Sequence, residues 1–252
     1  MATASLIGLF FLTALLYAMV GFGGGSTYNA LLLLDNTPYE AIPFIALLCN
    51  LLVVGGGVWH FSNQGHLSLS RGLPWIIFSV PSAFVGGLIP LSEDVFIGFL
   101  GLALLLSGLK MLLPELKASH QSERPYRLYI PLFTGSGLGL VAGITGIGGG
   151  IFLAPILYFL RWGSPKQIAG LCSLFILVNS LSGLVGQGLK LQAYENLLPL
   201  IETYWLLFPT VVIGGQIGSR LTLYKIKASF LQKMTALLIL YVALRLLWRF
   251  TH

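Results

Sequence analysis

Long apolar runs alternate with short polar or glycine-rich interruptions from one end of the chain to the other, and the runs divide into ten pieces. In the first half these are Ser5 to Val20, Thr27 to Leu34, Ala41 to Trp59, Leu73 to Ile89 and Val95 to Leu113. The second half repeats the series as Leu128 to Thr145, Ile151 to Leu160, Ile168 to Leu189, Leu198 to Ile217 and Phe230 to Trp248. Apolar runs of this kind predict helices lying in a bilayer, which about 20 residues suffice to cross. The second piece of each half is too short for that, and each follows a glycine cluster: "GFGGGS" at Gly21 to Ser26 and "GITGIGGG" at Gly143 to Gly150.

The two series are related in sequence as well as in rhythm. "GFGGG" at Gly21 matches "GIGGG" at Gly146 with an offset of 125, and "TPYE" at Thr37 matches "SPKQ" at Ser164 with an offset of 127. "PSAFVGG" at Pro81 matches "PTVVIGG" at Pro209 with an offset of 128, and Asn50 falls opposite Asn179 at 129. The chain therefore reads as two related halves, 1–113 and 129–252, joined by a polar linker, 114–128, expected in the cytoplasm. In each half Thr37 or Ser164 is expected to cap a helix, with Pro at the first helical position and Glu40 or Gln167 completing a capping box.

Charge decides how the halves are oriented. If each glycine-broken pair forms a hairpin that leaves an odd number of net crossings per half, ten basic residues, Arg71, Lys110, Lys117, Arg124, Arg127, Arg161, Lys166, Arg220, Lys225 and Lys227, share one side. Only Lys190, Arg245 and Arg249 then lie on the other, with Asp35, Glu40, Glu93 and Asp94. The positive-inside rule favours that arrangement. The predicted fold is an all-α polytopic membrane protein of two inverted repeats, each a glycine-broken helical hairpin plus three transmembrane helices, with both termini outside.

Composition agrees, and removes whole classes of function. Of 252 residues 56% are hydrophobic and 9% charged, too few charges to coat a soluble surface. Soluble enzymes and nucleic-acid binders are set aside, and the net charge of +6 reads as topology rather than as a nucleic-acid patch. The first apolar run lacks a basic segment before it and is expected to be retained rather than cleaved. Cys49 and Cys172 lie inside apolar segments and read as small packing residues. His60 and His66 flank a loop, His120 lies in the linker and His252 is the last residue, none with a partner at metal-ligand spacing. Ser136, between glycines in "TGSGLG", has no candidate base and reads as a packing residue. No catalytic residue, metal or cofactor is expected, and the chain is not read as an enzyme. The five tryptophans mostly fall near predicted span ends, where interfacial anchoring is the ordinary explanation.

The glycine clusters carry the candidate chemistry. Freed backbone groups are tolerated in hydrocarbon only where protein or a water-filled cavity surrounds them, so two matched breaks point to a binding region at the repeat interface. Helices that begin just after "GGG" present unpaired N–H groups and a positive dipole end, which suit an anion. The candidate substrate-binding residues are Gly23, Gly24, Gly25, Ser26 and Thr27 in the first break, Thr145, Gly148, Gly149 and Gly150 in the second, and Asn50, Asn179 and Ser180 on the helices that follow. Gln187 and Gln216 are secondary candidates, and Glu202 is the one acidic residue considered for proton coupling. Gly55 to Gly57 and Gly86 to Gly87 read as packing glycines.

Taken together, paired "GFGGGS" and "GITGIGGGIFLAPIL", each followed by a Ser/Thr-Pro helix start and an Asn-bearing span, resemble the sulfite exporter TauE/SafE family of membrane proteins over nearly the whole chain. The resemblance implies transport of sulfite or small organosulfur anions, export from the cytoplasm across the cell (inner) membrane, and in some members a coupled proton. It carries over to the glycines of both clusters and to Asn50 and Asn179. The first half departs from the pattern, with Asn29 and Ala30 where the second has Ala154 and Pro155. No "GxxxxGK[ST]" occurs, so the expected driving force is the substrate gradient or a coupled ion. A passive anion channel is the alternative, and a transport-inactive scaffold a more distant one. The expected partners are a small anionic substrate, a proton and the lipid bilayer, with no nucleic acid; oligomeric state stays open.

Overall fold

The structure, a computed structural model, describes residues 4–19, 21–112, 127–191, 202–221 and 228–251. Most of the predicted linker and the first residues of the predicted Leu198 to Ile217 span lie outside the described residues. Within them the chain is helical and has no strand. The first half forms α1 (Ala4–Ala18), α2 (Gly25–Leu34), α3 (Ile42–Asn63), α4 (Leu69–Leu88) and α5 (Glu93–Leu112). The second forms α6 (Tyr129–Thr145), α7 (Gly150–Phe159), α8 (Pro165–Leu191), α9 (Leu207–Leu221) and α10 (Ala228–Thr251), with a helical turn at 202–204 ahead of α9. Each corresponds to one predicted apolar run. Two of them, Ile42–Asn63 and Lys166–Leu191, are long and apolar enough by themselves to cross a bilayer.

The short helices fold back on their predecessors. Phe10 of α1 stacks on Tyr28 of α2 with ring centroids 4.7 Å apart, and the Tyr17 hydroxyl lies 2.9 Å from Thr27 Oγ1. One broken but continuous helix could not bring these pairs together, because at 1.5 Å per residue Phe10 and Tyr28 would stand roughly 25 Å apart. At the other hairpin Trp75 ties the two ends: its indole donates to Thr134 Oγ1 on α6 at 3.1 Å, and its ring meets that of Trp162, just past α7, edge-on at 6.4 Å. At ten residues each, α2 and α7 are about 15 Å long, half of a hydrocarbon core of about 30 Å.

Glycine spacing sets the tightest helix contacts. Gly135, Gly139 and Gly143 of α6 lie against the backbone of Trp75, Ser79 and Ala83 of α4 in the same order, so these helices run parallel and nearly touch. Gly214 and Gly218 of α9 lie likewise against Phe11 and Leu15 of α1. Corresponding elements meet when the halves are exchanged: Gly86 of α4 lies against Leu140 of α6 and Gly214 of α9 against Leu15 of α1, while Gly87 of α4 lies against Gly183 of α8 and Gly215 of α9 against Val53 of α3. Ser136 donates to the Phe78 carbonyl at 3.4 Å, in keeping with its packing role.

The long helices α3 and α8 pack together in opposite directions. Gly170, near the start of α8, adjoins Phe61 near the end of α3 and His66 just past it, while Lys190 at the end of α8 shares a chamber with Pro43 at the start of α3 and Glu40 just before it. The pair α5 and α10 is also antiparallel, with Gly101 against Leu247 and Gly108 against Leu240. Outward faces carry leucines and aromatics such as Leu102, Leu106 and Leu109 of α5, or Leu237, Tyr241 and Leu244 of α10. Exposed apolar surface on this scale suits lipid rather than water.

Two local expectations need correction. Ser164 and Gln167 do form the capping box, with Ser164 N donating to Gln167 Oε1 at 2.8 Å and Gln167 N to Ser164 Oγ at 3.4 Å. The counterpart "TPYE" does not: α3 starts at Ile42 with no side-chain cap, because the Thr37 hydroxyl is engaged with the Tyr204 phenol at 2.8 Å and Glu40 faces the Lys190 chamber. Among the tryptophans, Trp59, Trp205 and Trp248 are exposed as interfacial anchors would be, whereas Trp75 and Trp162 are fully buried against each other.

Candidate functional site

Both hairpins turn through glycines in the left-handed region. Gly24, the residue before α2, has φ 95° and ψ 7°; Gly149, in the same place before α7, has φ 76° and ψ −17°. Only glycine adopts such angles without strain. Space is short as well, since a Cβ on Gly24 would stand 2.9 Å from Thr13 Cγ2 and one on Gly149 would stand 3.0 Å from Phe175 Cε1. Within α2 the first N–H groups to donate backward are those of Thr27 and Tyr28, both to the Gly24 carbonyl; in α7 they are those of Phe152 and Leu153, to Gly149. The N–H groups of Gly25, Ser26, Gly150 and Ile151 precede those ladders, as at any helix start.

The two breaks meet. A Cβ on Gly25 would lie 2.8 Å from the carbonyl oxygens of Gly146 and Ile147, so the start of α2 is pressed against the turn that ends α6. Asn50 of α3 is threaded between them, its carboxamide abutting Gly23 and Gly25 on one side and Gly148 on the other. Its Nδ2 donates to the Gly146 carbonyl at 3.1 Å, and Oδ1, fully buried, has no partner. Other side chains bond three further carbonyls at or near the breaks. Asn29 donates to Thr145 O at 2.6 Å, Ser173 to Gly21 O at 2.6 Å, and Gln187 to Gly143 O at 2.7 Å.

The predicted residues divide into those that line this junction and those that support it. Gly23, Gly25, Gly148, Asn50 and Ser180 converge, with Ser180 Oγ 3.5 Å from where a Gly148 Cβ would be. Gly150 packs against Ile176 and the Cys172 carbonyl. Ser26 and Thr27 turn their hydroxyls toward Tyr17, at 3.3 and 2.9 Å, rather than toward the second break. Thr145 spends its hydroxyl on its own helix end, donating to Val141 O at 2.7 Å and accepting from Ile147 N at 3.4 Å. Asn179 is fully buried and neither Oδ1 nor Nδ2 has a partner; Ser180 Oγ and Tyr28 OH are likewise buried and unpaired. Buried polar atoms left this way in a native fold ask for a reason, and a ligand that meets them is one. Gln216 lies instead against Gly56, and Glu202 is exposed.

Sequence reasoning passed over Tyr17, Tyr28, Asn29 and Ser173. The tyrosines look like ordinary members of apolar runs. Asn29 carried a signal, since it replaces an alanine of the other half, and the structure uses the difference to tie α2 to Thr145.

A buried polar junction between matched helix breaks, inside a helical body with a lipid-suited surface, is consistent with a membrane transporter. Comparison with known proteins gives the same class. The chain belongs to the sulfite exporter TauE/SafE family, whose model matches residues 6–246. It is also similar to the probable membrane transporter protein y4hK of Sinorhizobium fredii, with 35% identity over 242 residues covering 95% of this chain and 96% of that one. No solved structure matches the chain.

Proposed function

We propose that the chain is a secondary transporter that exports small sulfur-containing oxyanions, such as sulfite or short organosulfonates, and that it holds them between the two glycine breaks. The observation that carries this reading is the convergence of both breaks on Asn50, with Asn50 Oδ1, Ser180 Oγ and Tyr28 OH buried and unpaired beside them. Donors available to an anion are Asn179 Nδ2, the Ser180 and Tyr28 hydroxyls and the N–H groups that open α2 and α7. Asn50 Oδ1 is an acceptor, and a protonated oxyanion can satisfy it with its own O–H. The candidate residues are neutral, so the substrate is held by dipoles and released readily.

The halves function as inverted repeats in the inner membrane, crossing it several times, with both termini outside and the linker in the cytoplasm. This is supported by the antiparallel pairs α3/α8 and α5/α10 and by contacts that survive exchange of the halves. Movement of one half against the other gives alternating access. Full burial of Asn50, Asn179 and Ser180 favours such a carrier over an open anion channel. Purified protein in liposomes tests it. Saturable sulfite flux driven uphill by an imposed pH gradient is expected; purely downhill flux that does not saturate would replace the carrier with a channel.

A further inference from the structure

One face of α8 leads from the breaks to a charged chamber. At 3.6 residues per turn, positions 176, 180, 183, 187 and 190 fall on one stripe. Their surroundings follow suit: Ile176 and Ser180 adjoin Gly148, Gly183 adjoins Gly143, Gln187 Nε2 bonds the Gly143 carbonyl, and Lys190 shares its chamber with Ile144. Along this stripe Ser180 Oγ and Gln187 Oε1 are buried without partners, and so is the carboxamide of Asn179, next to Ser180 in sequence. An apolar bundle has no packing reason to string unpaired polar atoms in one direction.

The chamber at the end of the stripe has a volume of about 20 Å³, with Tyr39, Glu40, Pro43, Phe96, Ile144 and Lys190 in its wall. It has room for about one water molecule. Pro43 in its wall also adjoins the second break: a Cβ on Gly146 would lie 2.7 Å from Pro43 Cα, and Asn50 donates to the Gly146 carbonyl. Pro43 thus touches both the chamber that holds the Lys190 ammonium group and Gly146, whose carbonyl Asn50 bonds at the junction of the breaks.

Resting on the reading of the breaks as a substrate site, we propose that Lys190 is a second docking position for the same small oxyanions, and that the Ser180–Gln187–Lys190 stripe is the route between the two. The chamber is water-sized in this conformation, so Lys190 meets the anion only when the Pro43–Gly146 contact opens and the chamber widens with it. Glu40, in the same wall, competes for the ammonium group and keeps the anion from being retained.

Initial rates of sulfite uptake into proteoliposomes, measured against sulfite concentration for the full chain, test this. Lys190→Gln is expected to raise KM about fivefold, the worth of one partly exposed charge pair, with the saturating rate close to wild type. Lys190→Arg, which keeps the charge, is expected to restore KM. An unchanged KM in Lys190→Gln would overturn the proposal, as would a loss of rate at every concentration that Lys190→Arg does not repair. Gly149→Val reports on the breaks alone. Saturable flux in that variant would remove the central site, whereas its loss together with a wild-type KM in Lys190→Gln would remove only the docking position.

Discussion

Gly149→Val asks the most of the central site. The backbone there holds φ 76°, a conformation that costs an L-residue about 1–2 kcal/mol and sits badly with a β-branched side chain. The new Cβ would stand 3.0 Å from Phe175 Cε1 and 3.2 Å from the Leu138 carbonyl, and overpacking of this kind costs about 1–3 kcal/mol. The sum, about 2–5 kcal/mol, falls below or near the lower end of ordinary fold stabilities of about 5–15 kcal/mol. The chain is expected to stay assembled while the start of α7 shifts away from Gly148, Ser180 and Asn50. A displacement of about 1 Å in a positioned site costs on the order of a hundredfold in rate, so sulfite flux should fall by about that factor. Gly55→Ala is the control, because a Cβ at Gly55 meets nothing within 4 Å. Flux per reconstituted protein, with size-exclusion and melting profiles of each variant, decides the matter. Wild-type flux in an intact Gly149→Val protein would refute the argument.

Other residues give independent checks. Asn50→Asp replaces the donor to Gly146 O with a carboxylate that faces a carbonyl and repels an anion, so it should lower both melting temperature and flux, whereas a variant with wild-type flux would take Asn50 out of the site. Gly139→Leu forces α6 off the Ser79 backbone and should prevent a monodisperse fold, read by size exclusion. Ser164→Ala removes half of a working capping box and should cost about 1 kcal/mol, seen as a lower melting temperature with flux retained. Thr37→Val loses a hydrogen bond to Tyr204 instead of a cap and should cost about 0.5–1.5 kcal/mol, seen as a lower melting temperature with flux retained.

Much of this was legible before any coordinates. The ten apolar runs became ten helices because membrane helices leave a direct signature in composition, and the breaks stood out because glycine is what a left-handed turn such as that at Gly24 or Gly149 requires. The duplication is visible in four short sequence matches. Pairing was harder to see. That Asn50 would reach across to Gly146, ninety-six positions away, depends on how α3 crosses the end of α6, and no local pattern encodes it. Equal motifs also proved unequal in use. "SPKQ" caps its helix, while "TPYE" gives its threonine to Tyr204 and its glutamate to the Lys190 chamber, since tertiary partners outcompeted the local cap. Hydroxyls assigned to the ligand from position alone, on Ser26, Thr27 and Thr145, found neighbours within their own hairpin.

The central claim, that two glycine breaks form one site for a small oxyanion, is tested most directly by ligand-dependent melting of purified protein. Sulfite, thiosulfate, sulfate and short sulfonates would each be added to wild type and to Asn179→Ala, whose carboxamide is buried and unpaired in the free protein. A ligand that binds only the folded state raises the melting temperature with concentration. The account predicts such a rise with at least one sulfur oxyanion in wild type and its loss in Asn179→Ala; no rise with any of them, or an equal rise in both proteins, would contradict it.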